Sequence, residues 1–293
     1  MLKMDGVSKR LGSFSLKDIS FEVPAGYICG LVGQNGAGKT TLLHLLLGLY
    51  QPDGGTVFID GLTYAEQEKE IRNQTGTVLA EELFEPHFDL MDNADYYGAY
   101  FSGYSGEEMR EYLSRFGLDG KQKFGKLSKG EKLKCQFAFA LSCQPSLLIL
   151  DEPVANFDPD FRGQFFSVIR DFISDGKRSV VLATHLTEDL DRLADYLIYL
   201  EEGRQLFAGD METFRSKYRL VTGESYKIKL LPKDRIIAVE EKTYGARALV
   251  EHSRLNQYDK SLTVTYPRIE DVMYFFSKRK KKDEKQRDYK RLF

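Results

Sequence analysis

No run in this 293-residue chain approaches the roughly 18 consecutive apolar residues that a membrane-crossing helix needs. Stretches such as Leu45-Leu46-Leu47 and Ser146 to Leu150 stop far short, so no bilayer span is expected. The first residues, Met1-Leu2-Lys3-Met4-Asp5, offer no apolar core for a secretory leader, and none is expected either. Cysteine is scarce. Cys29, Cys135 and Cys143 are odd in number, lie in apolar segments and form nothing like CxxC, which points to buried thiols in a reducing compartment rather than a disulfide framework. A large charge of one sign is also missing, with 42 Lys and Arg against 44 Asp and Glu for a net of −2. That balance hides an asymmetry: residues 278–293 carry nine basic side chains against three acidic, a net of +6, which leaves −8 on residues 1–277. A nucleic-acid surface spread over the whole protein is therefore disfavoured, and no nucleic-acid partner is expected. Solenoid-length repeats and sustained heptads are absent as well.

What is present is an ordinary globular composition, 42% hydrophobic and 29% charged, in a length that fits one large domain plus a small one. From Phe21 to Tyr199 short runs rich in Val, Ile and Leu alternate with longer segments of helical period. Tyr27 to Val32, Gly76 to Leu79, Leu147 to Leu150 and Ser179 to Ala183 read as buried strands. Lys39 to Leu47, Ser128 to Leu141, Pro159 to Ile173 and Thr187 to Ala194 read as helices between them. This alternation predicts an α/β fold around a largely parallel sheet. Glu82 to Ser142 breaks the rhythm with consecutive helical pieces and reads as an inserted helical subdomain, about residues 82–142. After Lys217 the pattern changes to alternating segments, Tyr226 to Leu231, Ala246 to Glu251 and Leu262 to Tyr266, closed by an amphipathic piece from Glu270 to Phe276. The expected organisation is a domain over residues 1–217, a small α+β accessory subdomain over 218–277, and a solvated basic tail over 278–293.

Gly33-Gln34-Asn35-Gly36-Ala37-Gly38-Lys39-Thr40 fits G-x-x-x-x-G-K-[ST] and lies between a predicted strand and a predicted helix, the context that a phosphate-binding loop requires. Its glycines let successive backbone amides close around phosphate oxygens, and the helix start adds a favourable dipole. Gly33, Asn35, Gly36 and Gly38 would form the cradle, with Lys39 a point charge between the β and γ phosphates. Thr40 would bring its hydroxyl to Mg²⁺, and Thr41 would touch the α or β phosphate. His44, in an apolar setting on the same helix, reads as packed. Further on, the apolar strand Leu147 to Leu150 ends in Asp151-Glu152, at the sheet edge where α/β proteins bind ligands. Asp151 is expected to meet Mg²⁺ through water, and Glu152 to polarise an attacking water. ATP and Mg²⁺ are the expected ligands.

Between these motifs stands Leu127-Ser128-Lys129-Gly130-Glu131, which resembles the signature loop of ABC-type ATPases. The order of phosphate loop, signature, acidic strand end and then His185 is the order which that family uses, and the resemblance covers about residues 1–217. It implies a P-loop NTPase core and a head-to-tail dimer, in which Ser128 and Gly130 of one subunit face the γ-phosphate held by another. Ala155-Asn156-Phe157-Asp158 is similar to the family's D-loop, with Asp158 as the dimer-contact acid. His185 resembles the switch histidine that contacts the γ-phosphate. Three positions depart from the family pattern: Lys129 replaces a glycine, Leu11 stands where an adenine-stacking aromatic is usual, and Leu79-Ala80-Glu81-Glu82 replaces a coupling glutamine. Phe14 is the expected substitute at the adenine and Glu81 at the coupling position.

One phosphate loop, no coiled coil and no membrane span leave one main expectation. The resemblance implies an ATP-hydrolysing subunit that works as a homodimer or heterodimer on the cytoplasmic face of a bacterial membrane. It would power a separately encoded permease that exports a peptide, an antibiotic or a lipid. The aromatic stretch Tyr96-Tyr97-Gly98-Ala99-Tyr100-Phe101 could meet that permease or pack as core. The alternative is an ATP-binding regulatory switch on a membrane partner, without productive turnover.

Overall fold

The computed structural model describes residues 1–79, 83–252 and 258–279. These divide into two compact units, Met1–Leu186 with Leu193–Gly209, and Thr187–Arg192 with the chain from Asp210 onward. The expected boundary at residue 217 thus falls inside the second unit.

In the first unit an antiparallel layer comes first. Strands β1 (Leu2–Leu11) and β2 (Phe14–Val23) form a hairpin, and β4 (Gly54–Ile59) pairs with the outer side of β1. Residues alternate in and out along β1 and β2, with Leu2, Met4, Val7, Leu16, Ile19 and Val23 buried, as a sheet with one solvated face demands. The parallel layer holds β3 (Ile28–Val32), β5 (Thr75–Val78), β6 (Leu147–Asp151), β7 (Ser179–Ala183) and β8 (Tyr196–Glu201). All five residues of β3 and of β7 are buried, which is what strands covered on both faces require. With β9 (Arg204–Asp210) the sheet among the described residues runs β4-β1-β2-β9-β8-β3-β7-β6-β5. Register fixes what matters for function: Ala183 on β7 lies level with Leu31 on β3 and with Asp151 on β6, so three adjacent strands end together at one edge.

Helices cover this sheet. The helix α1 (Lys39–Leu46) follows β3 and buries Leu42, Leu43, Leu45 and Leu46. The helix α2 (Tyr64–Gln74) precedes β5, and α6 (Pro159–Ile173) joins β6 to β7. The expected insertion is helical over its described part, with α3 (Leu90–Gly98), α4 (Gly106–Arg115), a short turn of tighter helix at Phe124–Lys126, and α5 (Lys129–Ser142). The caps explain the starts: Asp89, Ser105, Ser128 and Asp158 each accept the amide three residues on with a side-chain oxygen. Tyr96 to Phe101 divides by helical period. Tyr97 stacks on Phe84 at 5.6 Å and Phe101 meets Phe139 at 5.8 Å, while Tyr96 and Tyr100 are exposed. His44 is packed edge-on to Tyr50 at 5.0 Å, as read from the sequence.

The second unit carries a four-stranded antiparallel sheet in the order β11-β12-β10-β13, from β10 (Tyr218–Gly223), β11 (Ile236–Lys242), β12 (Gly245–Glu251) and β13 (Thr263–Thr265). A helix over 269–279 buries Ile269, Val272 and Phe275, so the amphipathic closing piece is as expected. One segment differs. Tyr226 to Leu231 is a short helix, Ser225–Lys229, continued by a turn, because its buried residues are Ile228 and Leu231, three apart, and not alternate positions.

Among the described residues no helix is long and apolar enough to cross a membrane. Glu81 and residues 280–293 of the basic tail lie outside the described residues.

Candidate phosphate-binding and hydrolytic site

The loop from Gly33 to Gly38 leaves the buried end of β3 and enters α1, as its sequence predicts. Gly33 is needed for close approach: a Cβ there would stand 2.5 Å from the Leu200 carbonyl oxygen and 2.8 Å from the Ala37 methyl. Gly38 is the N-cap of α1 at φ 108°, a backbone region that favours glycine. A Cβ on it would meet Phe14 and Leu16 at 2.8 Å. The Ala37 amide donates to Gln34 O at 3.0 Å, and the Gly203 amide donates to Ala37 O at 2.9 Å, which ties the loop to the chain after β8. Lys39 folds back to donate from Nζ to Gly33 O at 2.8 Å and closes the ring. Asn35, Gly36 and Thr40 are exposed, and Thr41 is half-buried on the same helical turn. The first turn of α1 holds no acidic residue and no side chain caps it, so its amides and dipole are left for an anion.

Phe14 is half-buried with its ring against Gly38. It therefore walls the phosphate loop at the helix start, a seat that its position at the head of β2 does not disclose.

At the level edge next to this loop, Asp151 ends β6 half-buried. Glu152 follows at φ 49°, ψ 39°, a left-handed conformation that costs a non-glycine residue about 1 kcal/mol or more. Its amide donates to Ala183 O at 2.9 Å, which carries the sheet pairing one residue beyond the strand and holds the kink. The kink turns the carboxylate to His185: Nδ1 lies 2.7 Å from Oε2, and the His185 amide donates to the same oxygen at 3.2 Å. Against an ionised carboxylate Nδ1 is the donor of this pair, and Nε2 is left to make a second hydrogen bond. The Glu152 side chain is 27% exposed and that of His185 58%, so both reach solvent from a half-buried base.

Ser128 caps α5 within a capping box. Its hydroxyl donates to Glu131 Oε2 at 2.7 Å, its amide donates to the same oxygen at 2.8 Å, and its Oγ accepts the Glu131 amide at 3.3 Å. Hydrogen bonds from Ser128 hold the Glu131 carboxyl below the usual carboxylate range. Gly130 is half-buried in the first turn. Asp158 caps α6, accepting the Phe161 amide on Oδ1 at 2.8 Å, while Lys134 of α5 holds Oδ2 at 3.2 Å. The Phe161 amide first, and then Lys134, pull the Asp158 carboxyl down. Replacing Ser128 by Ala should cost about 1 kcal/mol through loss of the cap. A thermal melt should then fall by roughly 2–4 °C, and an unchanged midpoint would show that the cap contributes nothing.

A strand–loop–helix with an uncapped, glycine-lined anion seat beside an acid-ended parallel strand defines a P-loop nucleotide-hydrolase core. Residues 16–155 match the family described as ABC transporter. A Nod factor export ATP-binding protein I of Burkholderia lata is 36% identical over 209 residues, covering 69% of this chain and 68% of that protein. One of the same name from Cupriavidus metallidurans is 31% identical over 252 residues, covering 83% and 82%. Among solved structures, an ATP-binding subunit of an ABC transporter aligns with a TM-score of 0.68 at 24% identity, over 73% of this chain and 92% of that one. A dimeric ATP-binding cassette in a post-hydrolysis state bound to ADP and Pi aligns with a TM-score of 0.64 at 23% identity, over 72% and 99%. The chain belongs to the ABC transporter family and is an ATP-binding subunit of that class, an ATPase coupled to transport.

Proposed function

We propose that this subunit closes head-to-tail around ATP with a second copy or a second ATPase of its class, hydrolyses it, and thereby drives a separately encoded permease that exports a peptide, an antibiotic or a lipid. The observation that carries this reading is the level edge of β3, β7 and β6, where the phosphate loop, Asp151 and the 2.7 Å Glu152–His185 pair stand together.

Within that site the amides of residues 33–39 and Lys39 bind the triphosphate. Thr40 and Asp151 fit Mg²⁺: a hydroxyl in the exposed first turn of α1 would be a direct ligand and the half-buried carboxylate that ends β6 would hold the ion through water, the other ligands coming from phosphate and water. Among the described residues no cluster of three or more His, Cys, Asp or Glu forms a protein-only cage, in keeping with such a shared site. Mg²⁺ would supply charge neutralisation between the β and γ phosphates. Glu152 accepts a proton from the attacking water, or orients it, and His185 keeps the carboxylate aimed while its Nε2 is presented to the γ-phosphate. Ser128 and Gly130 present the start of α5 to the γ-phosphate of the opposing subunit, with Asp158 close to that contact. Phe14 beside Gly38 is the apolar wall nearest to where a base would follow the phosphates.

The permease contact is assigned to the helical insertion. Tyr96 and Tyr100 are 55% and 72% exposed there, next to an apolar cavity of about 260 Å³ lined by Thr75, Thr77, Leu83, Phe84, Tyr97 and Phe139. Glu81 would serve as the coupling residue, and the site would work on the cytoplasmic face of the bacterial membrane. A switch without turnover has no use for Glu152 locked to His185, so the hydrolytic reading is preferred. Co-production with a candidate permease should give a detergent-stable complex whose Mg²⁺-dependent ATPase exceeds that of the subunit alone. A complex that binds ATP and never releases phosphate would sink the motor and leave the switch.

A further inference from the structure

The start of the signature helix α5 and the start of α6 are fastened together in this chain, above and below. Below lies a raft of aromatic rings. Phe116 stacks on Phe137 at 5.6 Å and meets Phe161 edge-on at 5.1 Å, and Phe137 packs on Phe165 at 4.7 Å. Phe157, in the turn before α6, reaches Phe161 at 4.6 Å. Such contacts set the spacing of the two helices on their core-facing side. Above lies Lys134. Its side chain is only 16% exposed, with Nζ 3.2 Å from Asp158 Oδ2 and 4.2 Å from the centre of the Phe161 ring. A lysine this covered, held by a carboxylate on one side and a ring face on the other, is a placed group and not a solvated one.

The two ends of this tie touch functional groups by different routes. On α5, Lys134 is one turn beyond Glu131, whose carboxylate holds the Ser128 hydroxyl and amide. On the other side Asp158 is joined to Glu152 by the short helical turn Pro153–Asn156 and Phe157, whose amide donates to Val154 O at 3.2 Å. Any shift of α5 that Lys134 transmits is therefore delivered within six residues of the carboxylate that faces His185.

We propose that Lys134 is a positioning residue for hydrolysis: it ties the signature helix to the N-cap of α6, so that engagement of Ser128 with nucleotide on the opposing subunit sets the orientation of Glu152 in its own. This deepens the proposed function and rests on its head-to-tail arrangement. Lys134 touches neither nucleotide nor water; it acts through Asp158 and the turn that follows Glu152. Unlike Ser128, it has no part in binding ATP.

The test compares the full-length wild type with Lys134→Met, which keeps the side chain's length without its charge, and with Lys134→Arg, which restores the charge. Steady-state ATPase of the Lys134→Met protein should show kcat reduced about ten- to a hundredfold, the cost of a misplaced catalytic group. KM for ATP should stay within about twofold, because ground-state binding is untouched. Lys134→Arg should recover most of the lost kcat, and the melting midpoint of Lys134→Met should lie only a few degrees below that of wild type, too little to unfold the protein at the assay temperature. A kcat for Lys134→Met within twofold of wild type would overturn the assignment. So would a kcat and a melting midpoint that fall together without recovery in Lys134→Arg, since that pattern marks a purely structural tie. The head-to-tail reading is judged separately, by whether a Glu152→Gln protein forms an ATP-dependent dimer. If it does not, that reading fails, and a kcat loss in Lys134→Met would then report a tie acting within one subunit and overturn the cross-subunit proposal.

Discussion

Glu152→Gln is expected to lower steady-state ATP turnover by about 10²–10⁴-fold, the usual loss when a positioned acid–base group is removed, and to leave ATP binding intact. The carboxamide has the shape of the carboxylate and can still accept the His185 amide, so the kinked backbone after β6 need not move. What it loses is the ability to take a proton from water. ATP that would have been hydrolysed should then persist, and with it the closed dimer. Light scattering after size exclusion should show a monomer without nucleotide and a dimer with MgATP. Turnover that stays within tenfold of wild type would remove Glu152 from the chemistry.

Glu152→Gly separates strain from catalysis at the same position. At φ 49° glutamate occupies a conformation that glycine adopts without penalty, so the change should hold or raise the melting midpoint while turnover falls at least as far as in Glu152→Gln. The strain at Glu152 is then explained by function: a residue of ordinary preference would continue the strand direction and turn its side chain away from His185.

The phosphate loop and the acid-ended strand were legible in the sequence because each is a local pattern whose chemistry is carried by neighbours in the chain. Gly33 to Thr40 spans one turn, and Leu147 to Glu152 one strand. The helical starts were legible for the same reason, since Ser128 and Asp158 act on amides three residues away. What could not be read is contact between distant segments. Nothing near Gly33 reveals that its missing Cβ makes room for the Leu200 carbonyl, and nothing near Phe14 reveals that its ring closes on Gly38. Lys134 and Asp158 lie 24 positions apart, and their pairing depends on two helices brought together by an aromatic raft. The second unit was misread at Tyr226 to Leu231 because Tyr-Lys-Ile-Lys alternates like a strand. Ile228 and Leu231 then found their core at helical spacing, and tertiary burial overrode the local pattern.

Lys39→Met should weaken ATP binding by about a hundredfold, in line with the loss on truncating one partner of a buried charge pair. Two roles of the side chain have to be separated. Without nucleotide, Nζ spends its charge on Gly33 O, a 2.8 Å bond whose loss should cost about 1 kcal/mol of folding stability. With nucleotide, the same ammonium must serve phosphate oxygens, and ligand-dependent stabilisation reports that service alone. At an ATP concentration of about 100 times the wild-type Kd, binding should add about 2.7 kcal/mol to the stability of the native state; a hundredfold weaker site at the same concentration should add only about 0.4 kcal/mol. With roughly 2–4 °C of midpoint per kcal/mol, wild type should gain several degrees on adding ATP and Lys39→Met about one. Measuring both proteins without Mg²⁺ prevents hydrolysis from consuming the ligand during the scan and keeps closure of the MgATP dimer out of the shift. Equal ATP-induced shifts would mean that the backbone amides of the loop hold the triphosphate without the lysine, and that Lys39 serves only to close the ring on Gly33. A smaller shift in Lys39→Met, with its unliganded midpoint only slightly lowered, would assign the charge to the nucleotide and the ring closure to the resting state.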